Sequence, residues 1–281
     1  MITVGAVSLG WSGTPLERVL AEIREMGGES IEINSQPGIH GITLNSTTAV
    51  RVRSMAEHAD LAIVAVSGYN DFAQPDPDSL SSEVQRLLGA CEIAMWLGVP
   101  VVRAFAGEPK PGRSLDELWP RIVEGFRRAA APARAAGVTL AIENHGRLLN
   151  DGRHLARLVQ EVNEPNVRLT LDTGNFSWAG HDLPGTSDDL DAALPYATNV
   201  QVKDGVWRDG TFEFVPAGDG ELPLRSLITK LVARGYDGPI SSEYEGSGDF
   251  REGTRRSIAW LREQRDAALR SETREGQRIP L

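Results

Sequence analysis

VTLAIENHG, residues 138–146, runs through β-branched and apolar positions to an acid, Glu143, and then breaks into a loop. The same cadence returns three times in the second half of the chain. VRLTLDTGNF at 167–176 carries Asp172, TNVQVKDG at 198–205 carries Gln201, and PISSEYEG at 239–246 carries Glu243. Each run reads as a strand with an oxygen-bearing side chain at its C-terminal end. One acid at a strand end is an ordinary occurrence. Four such residues in successive strand–helix units converge on one rim if the strands close into a barrel. Three carboxylates gathered there repel one another unless a cation neutralises them. The pattern therefore predicts a hard divalent-metal site, and with it an enzyme.

Outward from these four runs, the apolar period switches regularly between two and three-to-four. Strands are expected at 2–9, 30–34, 62–68, 99–107, 138–144, 167–172, 198–203 and 239–244. Helices are expected at 15–27, 46–59, 78–98, 115–137, 151–163, 188–197, 223–235 and 248–267, with Asp78 capping the third. The stretch DGVWRDGTFEFVPAGDGELP at 204–223 is expected to hold a small hairpin. Eight β–α pairs in strict alternation imply a parallel sheet, either closed or open and doubly wound. The length of 281 residues suits a closed eight-unit barrel, typically about 250 residues. No GxGxxG follows the first strand, which favours the barrel over the open sheet. The fold expected is α/β, a single (β/α)8 TIM barrel over residues 1–270 with a polar C-terminal tail at 271–281. The proline-rich loops AQPDPDS and GEPKPGRS follow the third and fourth strands and would sit on the catalytic face.

Composition narrows the function classes. A net charge of −10 argues against a nucleic-acid partner. The single cysteine, Cys91, precludes an intramolecular disulfide and reads as a small buried helical residue. The start, MITVGAVSLGW, lacks a basic segment and a long apolar core, so it reads as a strand and not a signal peptide. No apolar run approaches the roughly 18 residues that span a bilayer. A soluble, cytoplasmic protein with no membrane partner is expected. Self-association is left open, since the helix at 248–267 offers a pairing surface as readily as a solvated face.

Carboxylate and amide oxygens are hard donors suited to Mn²⁺ or Mg²⁺, with Co²⁺ or Zn²⁺ as alternatives. Gln201 can offer only its amide oxygen, which leaves its NH₂ free to donate elsewhere. His145 lies two residues beyond Glu143 and on an extended segment points to the same side. It reads either as an acid, base or donor to substrate, or as a histidine fixed by its neighbours. Lys203, two residues beyond Gln201, either lends positive charge to the site or pairs with Asp204 at the surface. Arg103 sits inside the apolar strand VPVVRAFAG and needs a partner: Glu143, Glu32 or a substrate anion. Glu32 is expected to make an interior polar contact. Asn175 either orients Asp172 or meets a substrate hydroxyl. Trp11, Tyr69, Trp178 and Trp207 fall in loops on the same face, where aromatic rings either cover a sugar or simply pack. Gly218 and Gly220, in AGDGELP, read as a loop turn, because the adjacent acids make a poor phosphate cradle.

The stretches AIENHG, LTLDTGNF, NVQVKDG, AGDGEL and ISSEYEG, in this order, resemble the xylose-isomerase-like superfamily of sugar isomerases and epimerases. The resemblance covers nearly the whole chain and implies a TIM barrel with one divalent cation at the C-terminal rim. By that likeness Glu143, Asp172 and Glu243 match the carboxylate ligands. Gln201 stands where most members carry a histidine. The likeness further implies Glu143 and Glu243 as a proton-transferring pair acting alpha to a carbonyl through a metal-stabilised enediolate, with His145 and Lys203 near the pocket. Related lyases of the 3-dehydroshikimate dehydratase kind use similar chemistry, and His145 and Arg103 keep that alternative open. Gln201 also leaves open a non-catalytic sugar-binding barrel. The partner implied is a small sugar or keto acid.

Overall fold

The expected alternation is present throughout the computed structural model, which describes residues 2–276. In chain order the elements are β1 (Thr3–Val7), α1 (Leu16–Glu25), β2 (Ser30–Asn34), α2 (Ala49–His58), β3 (Ala62–Ser67), α3 (Pro77–Leu97) and β4 (Val101–Phe105). Then come α4 (Leu115–Ala135), β5 (Thr139–Glu143), α5 (Gly152–Val162), β6 (Val167–Asp172), α6 (Asn175–Trp178), α7 (Leu183–Ala193) and β7 (Ala197–Val202). The chain continues through β8 (Asp204–Arg208), β9 (Thr211–Val215), α8 (Leu224–Ala233), β10 (Pro239–Ser242) and α9 (Phe250–Gly276). Eight parallel strands close in the order β1-β10-β7-β6-β5-β4-β3-β2, a single (β/α)8 barrel. Strands β8 and β9 pair antiparallel outside it, as the hairpin expected after Lys203.

Local chemistry sets the helix starts and corrects several expected boundaries. Asp76, not Asp78, caps α3: its Oδ1 accepts the Ser79 N–H at 2.8 Å and Pro77 fills the first turn. Ser114 and Glu117 form a reciprocal capping box on α4. Asp182 accepts the Gly185 N–H at 2.8 Å, so α7 begins at Leu183, well before the expected 188. Helix α9 runs past the expected 267 to Gly276, taking up part of the polar tail. Residues 277–281 of that tail lie outside the described residues. Cys91 is buried in α3, and burial pushes its thiol up to about 12, as befits an inert small residue. Among the described residues no helix is long and apolar enough to cross a membrane.

The main hydrophobic core lies between the sheet and the ring of helices, where Val4, Ile31, Val66, Val102, Leu140, Leu169, Val200 and Ile240 meet helix residues such as Leu87, Ile122 and Leu158. The barrel lumen is different. Its apolar side chains include a separate small cluster of Ala65, Val101 and Ala141. Barrels of this class are commonly filled by bulky branched side chains. Here polar groups reach across instead. Glu32 on β2 accepts from Asn199 Nδ2 (2.9 Å) and Gln201 Nε2 (3.1 Å) on β7, with β1 and β10 between them in the ring, and from Ser67 Oγ (2.7 Å) on β3. This polar floor lies beneath the strand ends that carry the site.

Candidate active site

Strand closure brings Glu143, Asp172 and Glu243 together, each offering an oxygen within 4.8 Å of the others. All three stand at or just past the C-terminal ends of β5, β6 and β10. Gln201 sits in β7 in register with Asp172. Its Nε2 is taken by Glu32, while Oε1 is buried without a hydrogen-bond partner. A buried acceptor without a partner, on the strand next to Asp172, has the chemistry of a hard-cation donor. The three sequence-predicted carboxylates therefore do converge, and Gln201 lies in register with one of them on the neighbouring strand.

Each carboxylate is held by its surroundings. Glu143 Oε1 faces His145 Nδ1 at 3.2 Å and accepts from Asn175 Nδ2 at 3.0 Å, while Arg103 Nε lies 3.2 Å from Oε2. Asp172 Oδ1 accepts the backbone N–H groups of Gly174 (2.9 Å) and Asn175 (3.0 Å). The Asn144 side chain clamps the Asp172 main chain from both sides, at 2.8 and 2.9 Å. Asn175 thus orients both carboxylates, Asp172 by its backbone and Glu143 by its side chain.

Lys203 is not the surface partner of Asp204. Its ammonium is buried within the cluster, 2.7 Å from Asp172 Oδ2 and 2.7 Å from Glu243 Oε2. Asp204 has another task. Its carboxylate accepts from the backbone N–H groups of Gly205 (2.9 Å), Gly218 (2.8 Å), Gly220 (3.1 Å) and Leu222 (3.3 Å). A Cβ on Gly220 would stand 2.1 Å from Asp204 Oδ1, so the AGDGEL glycine is required by close approach.

Arg103 is enclosed by protein. It pairs with Glu143 and Glu32 (3.6 Å), and its guanidinium lies over the rings of Phe105 (4.1 Å) and Tyr69 (4.8 Å). His145 stacks on the same Phe105 ring at 4.2 Å. Tyr69 OH accepts from Asn34 Nδ2 at 2.6 Å. Trp178, 40% exposed on α6, carries the Arg147 guanidinium at 4.9 Å. Trp207 is not brought to the cluster; it packs on Phe212 within the hairpin at 5.5 Å. Trp11 is also a packing residue, buried, with Nε1 donating to Glu22 at 2.7 Å. Sequence reasoning missed Phe105 and Asn144. For Phe105 a signal existed, because it lies two residues after Arg103 and so on the same side of β4.

Burial and mutual repulsion act on every charge in the cluster. Ionised Glu32, Glu143, Asp172 and Glu243 carry four negative charges against two on Arg103 and Lys203. Burial alone would raise the Glu143 carboxyl, but Arg103 beside it, aided by His145, holds it down at about 2. Burial, reinforced by repulsion from Glu243 and Glu143, pushes Asp172 up to about 7 despite Lys203. His145 loses charge to burial, yet its contact with Glu143 outweighs that and raises its pKa. Burial disfavours the Lys203 ammonium, and Asp172 and Glu243 keep it charged.

A pH dependence follows. The metal-free native state keeps a proton on Asp172 up to about 7, whereas the unfolded chain releases it near the ordinary aspartate value of 3.8. The native state binds more protons in that window, so stability is fully present below about 4 and falls as pH rises towards 7. A divalent cation competes for the same oxygens. Its apparent affinity should rise with pH up to about 7 and then level off, with a proton released on binding. Calorimetric Mn²⁺ titrations at pH 5.5, 6.5 and 7.5 check this; an affinity independent of pH would contradict it.

The chain belongs to the xylose isomerase-like TIM barrel family, whose model matches residues 20–264. Named relatives are isomerases and epimerases, with dehydratases as a minority, and the chain is an enzyme of this family. It is 26% identical to the "Putative hydroxypyruvate isomerase" of Streptomyces coelicolor, over 80% of this chain and 83% of that protein. It is 28% identical to the 2-epi-5-epi-valiolone 7-phosphate 2-epimerase of an Actinoplanes species, over 89% of each chain. A 3-dehydroshikimate dehydratase of Pseudomonas putida is 24% identical over 96% of this chain but 43% of its own length. Solved structures share the fold. An L-ribulose 3-epimerase superposes with a TM-score of 0.78 at 20% identity, covering 100% of both chains. A Mycobacterium smegmatis xylose isomerase-like barrel in complex with magnesium gives 0.76 at 17% identity, covering 96% of this chain and 98% of that one.

Proposed function

We propose that the protein is a divalent-metal-dependent isomerase or epimerase of a small sugar or keto-polyol, moving a proton alpha to a carbonyl. The observation that carries it is the meeting of three carboxylate oxygens within 4.8 Å at the barrel mouth. The orphaned Gln201 Oε1 completes a set of hard oxygen donors with Glu143, Asp172 and Glu243, which favours Mn²⁺ or Mg²⁺. Bound there, such a cation supplies neutralisation of the oxygens that turn negative when the neighbouring C–H proton leaves.

The chain's own residues account for the proton. Glu143 on β5 and Glu243 after β10 approach from flanks separated by β6 and β7. A substrate carbon between them meets a carboxylate on each face, so one removes the proton and the other delivers it. Arg103 and Asn175 fix Glu143 in place. Lys203 holds Glu243 beside Asp172 and keeps positive charge next to the reacting oxygens. His145, stacked on Phe105 and 42% exposed, stands ready to donate to a substrate hydroxyl.

A dehydratase of a keto acid needs a cation to hold the substrate carboxylate. Arg103 is committed to Glu143 and Glu32 and is 2% exposed, which supports the isomerase over the lyase. The test is solvent deuterium entering a ketose with mass balance retained, in the presence of Mn²⁺. Formation of a conjugated ultraviolet chromophore from a cyclic keto acid would replace this reading with dehydration. If Gln201 coordinates, Gln201→His should shift the preference from Mg²⁺ towards Co²⁺ or Zn²⁺, because imidazole is the softer donor. An unchanged ranking of metals in direct binding measurements would remove Gln201 from the ligand set.

A further inference from the structure

Glu32 is fully buried in the barrel lumen and takes no part in the proton transfer. Four donors from three other strands meet its carboxylate. Ser67 Oγ on β3 and Arg103 Nε on β4 face Oε1 at 2.7 and 3.6 Å. Asn199 Nδ2 and Gln201 Nε2 on β7 donate to Oε2 at 2.9 and 3.1 Å. A carboxylate ringed by donors in this way serves as an acceptor only.

The amide of Gln201 carries a donor at one end and an acceptor at the other, and nothing within the amide decides which end faces the barrel mouth. Glu32 decides it. Turning the amide by half a rotation would set its oxygen against Glu32 Oε2, acceptor against acceptor. With the NH₂ held at 3.1 Å, Oε1 is left buried without a hydrogen-bond partner, on the strand next to Asp172 and in register with it. An unpaired buried acceptor is unfavourable on its own and marks a position made for something else to bind.

Resting on the metal-dependent reading above, we propose that Glu32 is a positioning residue for the cation: by holding the NH₂ of Gln201 it fixes the amide with its oxygen presented as the fourth hard donor. Glu32 touches neither the ion nor the substrate and acts through Gln201 alone. Its other charged contact, Arg103, leads to Glu143, so the test has to separate the two routes.

A double-mutant cycle on Mn²⁺ affinity does so, read by calorimetry, with paramagnetic resonance reporting the coordination of the bound ion. Glu32→Asp keeps the charge but withdraws the carboxylate from Gln201 by one methylene. Its affinity for Mn²⁺ should fall about tenfold, as when a residue that orients a ligand is lost. Gln201→Met, which offers no hard oxygen, should lose at least as much. Adding Glu32→Asp to Gln201→Met should then cost little more, and the resonance of the ion should match that of Gln201→Met alone. Losses that multiply would show that Glu32 works by another route, such as Arg103 and Glu143, and would overturn the proposal. Wild-type affinity in either single variant would do the same. If Glu32→Asp does not fold, the isosteric Glu32→Gln carries the cycle, and its penalty must be larger in the wild-type background than in Gln201→Met. A wild type that binds no Mn²⁺ would defeat the metal reading and the proposal together, whereas binding with independent losses would defeat the proposal alone.

Discussion

Glu243→Gln is expected to fold as the parent does and to lose turnover by about a thousandfold or more, within the range that a positioned acid–base group contributes. The Gln side chain keeps the shape and still offers an oxygen to Lys203, whose pairing with Asp172 at 2.7 Å is untouched. The backbone N–H of residue 243 remains bonded to Val202 O at 3.0 Å. What disappears is the ability to take or give a proton and one negative charge of the cation-holding set. The loss should therefore fall on kcat, with the melting temperature of the metal-free protein little changed. Full activity in the variant would remove Glu243 from the mechanism.

The second large effect belongs to Lys203→Met. A buried ammonium spans Asp172 and Glu243, and deleting one partner of a buried pair leaves the other charges uncompensated, at a cost of about 3–5 kcal/mol. In chelator the variant should melt well below wild type. Adding Mn²⁺ should recover most of the difference, because the cation then supplies the charge that the lysine no longer does. The wild-type protein, which carries its own counter-ion, should gain less from Mn²⁺ than the variant. Identical melting in chelator would show that the ammonium does not balance the cluster.

The barrel was legible in the sequence because strand and helix periods are local properties. Strand ends were legible for the same reason: Glu143, Asp172, Gln201 and Glu243 follow apolar runs and meet where parallel strands all end. What one strand says to a distant one was not legible. Glu32 and Asn199 touch although 167 residues separate them, and only closure of the ring creates that contact. Lys203 and Asp204 show a subtler failure. Adjacent opposite charges suggest a pair, yet the two side chains serve different partners, the buried cluster and the glycine loop. Trp207 was expected at the mouth from its place in a loop, and the hairpin's own Phe212 holds its ring instead.

That glycine loop comes with its own resident anion. Because the Asp204 carboxylate fills the pocket of amide hydrogens, no incoming phosphoryl group can lodge there without evicting a side chain anchored in the chain itself. The hairpin is thereby riveted to the residue after Lys203.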